Sequence, residues 1–163
     1  MRDDELARAV RLREEGSHEE ARELLLGLAE RHPEDAEVAY QTAWVHDVLG
    51  LEKEAAPFYE RALAGESSKG GLKPEDRLGA FTGYGSTLRV LGRYDEALEV
   101  FRRGLTEFPE DPGLRTFMSM ALYNAGRARE AVSTLLKVLA GTEGAGQYQR
   151  AITYYADHLD ETV

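Results

Sequence analysis

One rhythm governs this chain. Gly16, Gly50, Gly92 and Gly126 are separated by 34, 42 and 34 residues, and Ala21, Ala55, Ala97 and Ala131 keep the same intervals. Two residue types sharing one spacing define a repeat. A unit of this length buries its apolar face only by stacking on its neighbours. The odd interval is 34 plus 8, so one unit carries an insertion. It is placed at about 66–77, starting in the Gly/Ser-rich stretch Gly65–Gly71. Pro33-Glu34-Asp35 returns as Pro109-Glu110-Asp111, and a third copy, Pro74-Glu75-Asp76, follows the insertion.

Each period reads as two helices around a glycine turn. In the third, a helix from about Pro74 to Leu91 starts with proline and acids, which suit the first turn and its dipole, and stops at Gly92. The second runs from about Tyr94 to Phe108, with Ala97, Phe101 and Leu105 on one face. The same pattern gives repeats at about 2–35, 36–69, 78–111 and 112–145 in a single domain over 1–163, closed by a helix at about 146–159. That last helix is expected to lay Tyr148, Ile152, Tyr155 and Leu159 on the fourth repeat as a cap. Pro57 sits near the start of a helix, where a late start or slight kink is expected.

Phe81, Tyr84-Gly85, Leu88, Ala97, Phe101 and Pro109 stand at the spacing of the tetratricopeptide pattern. Ala9, Ala43, Gly85, Ser119 and Thr153 keep one position small, where paired helices meet. The chain therefore resembles the tetratricopeptide repeat family over nearly its whole length. The resemblance implies an all-α fold, a right-handed α-solenoid of about four helix pairs plus a C-terminal capping helix. The stretches Ala43–Gly50 and Tyr154–Thr162 also look like a group of small bacterial tetratricopeptide proteins often thought to dimerise. Two aligned positions, Asp4, Val38, Ala80, Leu114, Tyr148 and Arg11, Val45, Thr87, Ala121, Tyr155, are charged only in the first unit, so the stack is expected to begin there.

Little in the sequence points to catalysis. There is no cysteine, which fits a reducing cytoplasm, and the four histidines form no helical His-x-x-x-His pair. His46 fills a slot held by leucine in other units and reads as a packing residue; His158 beside Asp157 reads as a solvated tail pair. The Gly65–Gly71 loop lacks the Gly-Lys-Ser/Thr that cradles phosphate. No catalytic residue, metal site or cofactor is expected. The net charge of −10 disfavours nucleic acid as a partner. No apolar run nears the roughly 20 residues that span a bilayer.

The family resemblance puts the first helices on the concave side. There the alignment gathers Tyr40, Trp44, Asp47, Ser86, Arg89, Met120, Tyr123 and Tyr154 as a candidate peptide-binding groove. The Lys and Asn with which tetratricopeptide co-chaperones grip a C-terminal carboxylate are replaced by Leu6, Val10, Tyr40, Trp44, Thr82 and Ser86, so no such clamp is expected. Tyr40 and Trp44 either anchor a ligand or fill gaps between repeats. The expected role is a cytoplasmic, non-catalytic scaffold for a protein or peptide. The alternative is a self-associating homodimer, and more remotely a small-ligand sensor or enzyme using the groove.

Overall fold

The four periodic glycines do the same work in the structure. In the computed structural model, which describes residues 1–65 and 71–162, Gly16, Gly50, Gly92 and Gly126 have φ of 86°, 71°, 78° and 78°. Only glycine enters that region at little cost. Each closes a helix with two hydrogen bonds: Gly16 N–H to the Arg13 carbonyl and Ser17 N–H to that of Leu12, and likewise in the other three. The chain leaves each turn at one fixed angle, so the helices follow in antiparallel pairs.

Those pairs are α1 (Arg2–Glu14) and α2 (His18–Arg31), α3 (Ala36–Val48) and α4 (Glu52–Leu63), α5 (Pro74–Val90) and α6 (Tyr94–Glu107), and α7 (Pro112–Asn124) and α8 (Ala128–Ala140). A 3-10 turn (Glu143–Tyr148) and α9 (Gln149–Ala156) follow. All regular structure among the described residues is helical. Asp35 caps α3 by accepting from the Glu37 and Val38 N–H groups, and Asp111 caps α7 by accepting from Leu114 N–H. The third Pro-Glu-Asp works differently. Pro74 begins α5, which is 17 residues long against 13 for α3 and α7, so Asp76 lies in the first helical turn.

The expected late start at Pro57 is not seen: α4 begins at Glu52 and runs through the proline, which lies on its exposed side. Of the insertion expected at about 66–77, residues 66–70 lie outside the described residues, and the remainder is the approach to α5 and its first turn.

Successive first helices touch: α3 on α1, α5 on α3 and α7 on α5. No comparable pairing links α2, α4, α6 and α8 among the described residues. First helices therefore line the inner side of the curve and second helices the outer. Close approach is set by small residues. A Cβ at Gly85 would lie 2.5 Å from the Phe101 ring, one at Gly79 2.3 Å from the Tyr40 hydroxyl, and one at Gly83 2.4 Å from that of Tyr59. Phe81, Phe101, Leu88, Leu98 and Leu114 are fully buried around this contact.

The last helix packs against α8 of the fourth repeat, but not through the residues expected. Val38, Ala80 and Leu114 are fully buried, but Tyr148 at the same aligned position is 63% exposed; Val45, Thr87 and Ala121 are buried, but Tyr155 is 53% exposed. Thr153 and Leu159 are exposed too, and Ile152 is half-buried. The reason is the connection. Gly146 turns the chain at φ 51°, ψ −133°, and α9 is pinned to the polar side of α8 by Lys137–Asp157 and Arg129–Asp160 ion pairs, with Ala156 its one buried residue. Val132, Leu135 and Leu139 of α8 stay open in consequence.

Candidate functional site on the inner face

The glycine turn also places the candidate stripe. Arg13, Asp47, Arg89 and Tyr123 each sit three residues before their glycine and give it their carbonyl, so their side chains are presented in register along the first helices.

At the N-terminal end the stripe is built on aromatic stacking. Tyr40 is 6% exposed, its ring 5.7 Å from Trp44 and 6.4 Å from Tyr59, which in turn lies 6.1 Å from Tyr84. This series crosses α3, α4 and α5, resting on Gly79 and Gly83. Tyr40 thus packs between repeats, and burial pushes its hydroxyl up to about 12. Trp44 keeps 37% of its surface, and the Arg13 guanidinium lies over its ring at 3.5 Å.

Asp47 is an internal tie. Its carboxylate accepts from the Tyr59 hydroxyl at 2.6 Å and the Thr87 hydroxyl at 2.7 Å, joining three helices. Burial raises its pKa against the lowering effect of these two bonds, and burial with the nearby carboxylate holds the Tyr59 hydroxyl far above its usual value. Ser86 is half-buried on α5.

Toward the C-terminal end the face opens. Met120 and Tyr123 of α7 with Val132 and Leu135 of α8 line an apolar groove of about 380 Å³, with Arg89 at its edge. Tyr123 is 68% exposed, and Arg89 donates one hydrogen bond, to Asn124 at 3.2 Å. Tyr154 is not part of this surface. It stacks on His158 at 4.1 Å, meets Tyr155 edge-on and donates to Glu161 just beyond α9. The structure therefore brings Tyr40, Trp44 and Asp47 together, groups Arg89 with Met120 and Tyr123, and sets Tyr154 apart.

The histidines carry no shared chemistry. His46 is buried, stacked on Phe58 at 5.5 Å; Arg22 donates to its Nε2, so its Nδ1–H donates to the Thr42 carbonyl. His158 and Asp157 do not pair: the acid holds Lys137 and the ring lies on Tyr154. Among the described residues no group of three or more His, Asp and Glu is arranged to hold a metal, and no helix is long and apolar enough to cross a membrane.

Sequence reasoning missed Tyr59, the glycines beneath the tyrosines, and the α8 side of the groove. Gly79 and Gly83 carried a usable signal. Two glycines four apart inside a helix, each costing roughly 0.5–1 kcal/mol, mark a close approach on one face. Leu135 carried none, because its counterparts Leu25, Tyr59 and Phe101 are core, and Val132 little, because Ala56 and Leu98 at its aligned position are buried.

A stack of helix pairs with its first helices inward and a part-apolar inner face has the architecture of a protein-interaction scaffold. The chain belongs to the tetratricopeptide repeat family, whose model matches residues 36–159. Proteins of this family are typically non-catalytic scaffolds. Among curated proteins, Superkiller protein 3 of Schizosaccharomyces pombe is 31% identical over 97 residues, 60% of this chain. The match spans only 7% of that protein's length. Among solved structures, YrrB, described as a TPR protein with an unusual peptide-binding site, superposes with a TM-score of 0.64 at 19% identity, covering 96% of this chain and 84% of its own. TTC0263, a thermophilic TPR protein of Thermus thermophilus, matches at 18% identity over 97% of this chain and 100% of its own, with a TM-score of 0.43. At such identities the likeness bears on the fold.

Proposed function

We propose that this protein is a non-catalytic scaffold that works in the cytoplasm without a cofactor and holds a peptide or protein segment along its inner face. The observation that carries the reading is the open apolar groove of about 380 Å³ in which Met120 and Tyr123 of the inner face, Met120 at the aligned position of Trp44, meet Val132 and Leu135 at the uncovered end of the stack. Aromatic and aliphatic side chains left exposed around a concavity are the usual anchors of a bound chain. Tyr40 and Asp47 serve this face from beneath, fixing the height of Trp44 and the spacing of the helices. Selection of short random peptides on the purified protein tests it. Tyr123→Ala and Leu135→Ser are expected to weaken a selected peptide by roughly tenfold or more while the helical circular dichroism is retained. Peptides that bind both variants as tightly as wild type would move the site elsewhere.

A second reading rests on a separate observation. Val132, Leu135 and Leu139 on α8 and Tyr148 and Tyr155 at α9 are exposed, although their counterparts upstream are largely covered by a following helix. Two copies meeting at this end would cover both rows. Sedimentation over a wide range of concentration decides it: a dimer that Leu135→Glu dissociates supports the reading, and a monomer throughout rejects it.

A further inference from the structure

Two arginines are buried among the described residues, and they are treated differently. Arg77 is held by Glu107 through two hydrogen bonds and donates to the Gly65 carbonyl. Arg13 is 8% exposed, and no hydrogen bond or ion pair satisfies it among the described residues. Its Nε–H is fully buried without an acceptor, while its terminal nitrogens, also unpartnered, reach the surface beside Trp44. Burial holds the guanidinium below its ordinary pKa, as expected of a cation without a counter-ion. Stacking on Trp44 recovers only a part of what burying an unpaired charge costs.

One part of this arrangement occurs again along the stripe. Arg89, at the equivalent position two repeats on, also has a buried Nε–H with no acceptor. The acid between them in register is Asp47, and both its oxygens are taken by Tyr59 and Thr87. A chain with a net charge of −10 therefore keeps two unneutralised guanidinium groups on its inner face.

We propose that the inner face recognises an acidic peptide, in which an aspartate or glutamate side chain pairs with the Arg13 guanidinium while a neighbouring apolar residue lies against the exposed edge of Trp44. The carboxylate supplies acceptors for the terminal N–H groups at the surface and a counter-charge for the cation, and because the guanidinium is already desolvated and fixed on the ring, little ordering is needed on binding. Arg89, at the mouth of the apolar groove, offers a second acid the same contact. This inference rests on the inner face being the binding surface and adds the chemistry of what it binds.

The test uses short random peptides selected on wild-type protein, then fluorescence polarisation of a selected peptide and of its counterpart with each acid changed to the amide. Wild type is expected to prefer the acid form by roughly tenfold, the strength of one charge-assisted bond. The ratio should fall to near one in Arg13→Met and stay intermediate in Arg13→Lys, which keeps the charge without the planar fork. Because the ratio is taken within one variant, a change in folded fraction does not move it. Selected peptides without acidic residues, or an acid preference unchanged in Arg13→Met, would overturn the Arg13 assignment and leave the inner face as the binding surface. Peptides weakened by none of Arg13→Met, Tyr123→Ala and Leu135→Ser, or none selected at all, would overturn both.

Discussion

Glycine has opposite meanings at two helical positions. Gly85 meets Phe101, and a Cβ there would lie 2.5 Å from the ring carbons, so Gly85→Ala overpacks the interior. It should cost about 1–3 kcal/mol in urea denaturation. Gly27, inside α2, has nothing within 4 Å of where its Cβ would be, and Gly27→Ala should stabilise by about 0.5–1 kcal/mol through the unfolded chain and helix propensity. Equal effects of the two would show that the close contact at Gly85 is not real. Asp47 gives a pH dependence of definite sign. Its folded pKa is raised by burial above the ordinary aspartate value of about 3.9, so the folded state holds the proton more tightly than the unfolded state. The resulting stabilisation is full below the unfolded pKa and is lost as pH rises through the folded one. Asp47→Asn does not titrate, and its oxygen and amide can still meet the two hydroxyls. The stability of Asp47→Asn relative to wild type should therefore rise as the pH climbs above the ordinary aspartate value of about 3.9; a difference independent of pH would refute the raised pKa.

At the scale of elements, α4 is the one helix carrying a proline beyond its first turn. Pro57 cannot donate to the carbonyl four residues back, yet α4 persists because Ala55, Ala56, Tyr59, Ala62 and Leu63 are buried. Tertiary burial outweighs the lost bond. Pro57→Ala, on the exposed side, should raise stability by about 1–3 kcal/mol, read as a shift in melting temperature, and no gain would mean that the helix is already distorted there. α9 is the opposite case: its sequence has the register of a fifth first helix, but one buried alanine and two ion pairs hold it in another place. Exposed ion pairs contribute at most about 1 kcal/mol each, so α9 is the weakest-held helix in the stack.

For the whole molecule, contacts run mainly between neighbours in the chain, and stability should be distributed as in a linear array. The main core joins α3 to α8 around Phe81 and Phe101, with a smaller core between α1, α2 and α3. Amide hydrogen exchange is expected to be slowest in α5 and α6 and fastest in the 3-10 turn and α9. Protection in α9 equal to that in α5 would mean that α9 is docked in solution, on its own groove or on that of a second copy.

Much of the solenoid was legible in the sequence because its determinants are local. Gly16, Gly50, Gly92 and Gly126 fix the turns through their own φ angles, and the stripe of Arg13, Asp47, Arg89 and Tyr123 follows from counting back three residues. Helical period alone identified Tyr40, Trp44, Met120 and Tyr123 as belonging to first helices. It could not decide which of them remain free. That depended on neighbours from other repeats: Gly79 receives Tyr40 and hides it, Tyr59 and Thr87 occupy Asp47, and Val132 and Leu135 are left open where α9 does not sit. By itself the sequence determined the repeat, the turns and the inward face, because each is set within one turn of helix. Only the tertiary structure decided which side chains are core, which are neutralised and which face a partner, because burial and charge pairing belong to pairs of helices rather than to positions in one.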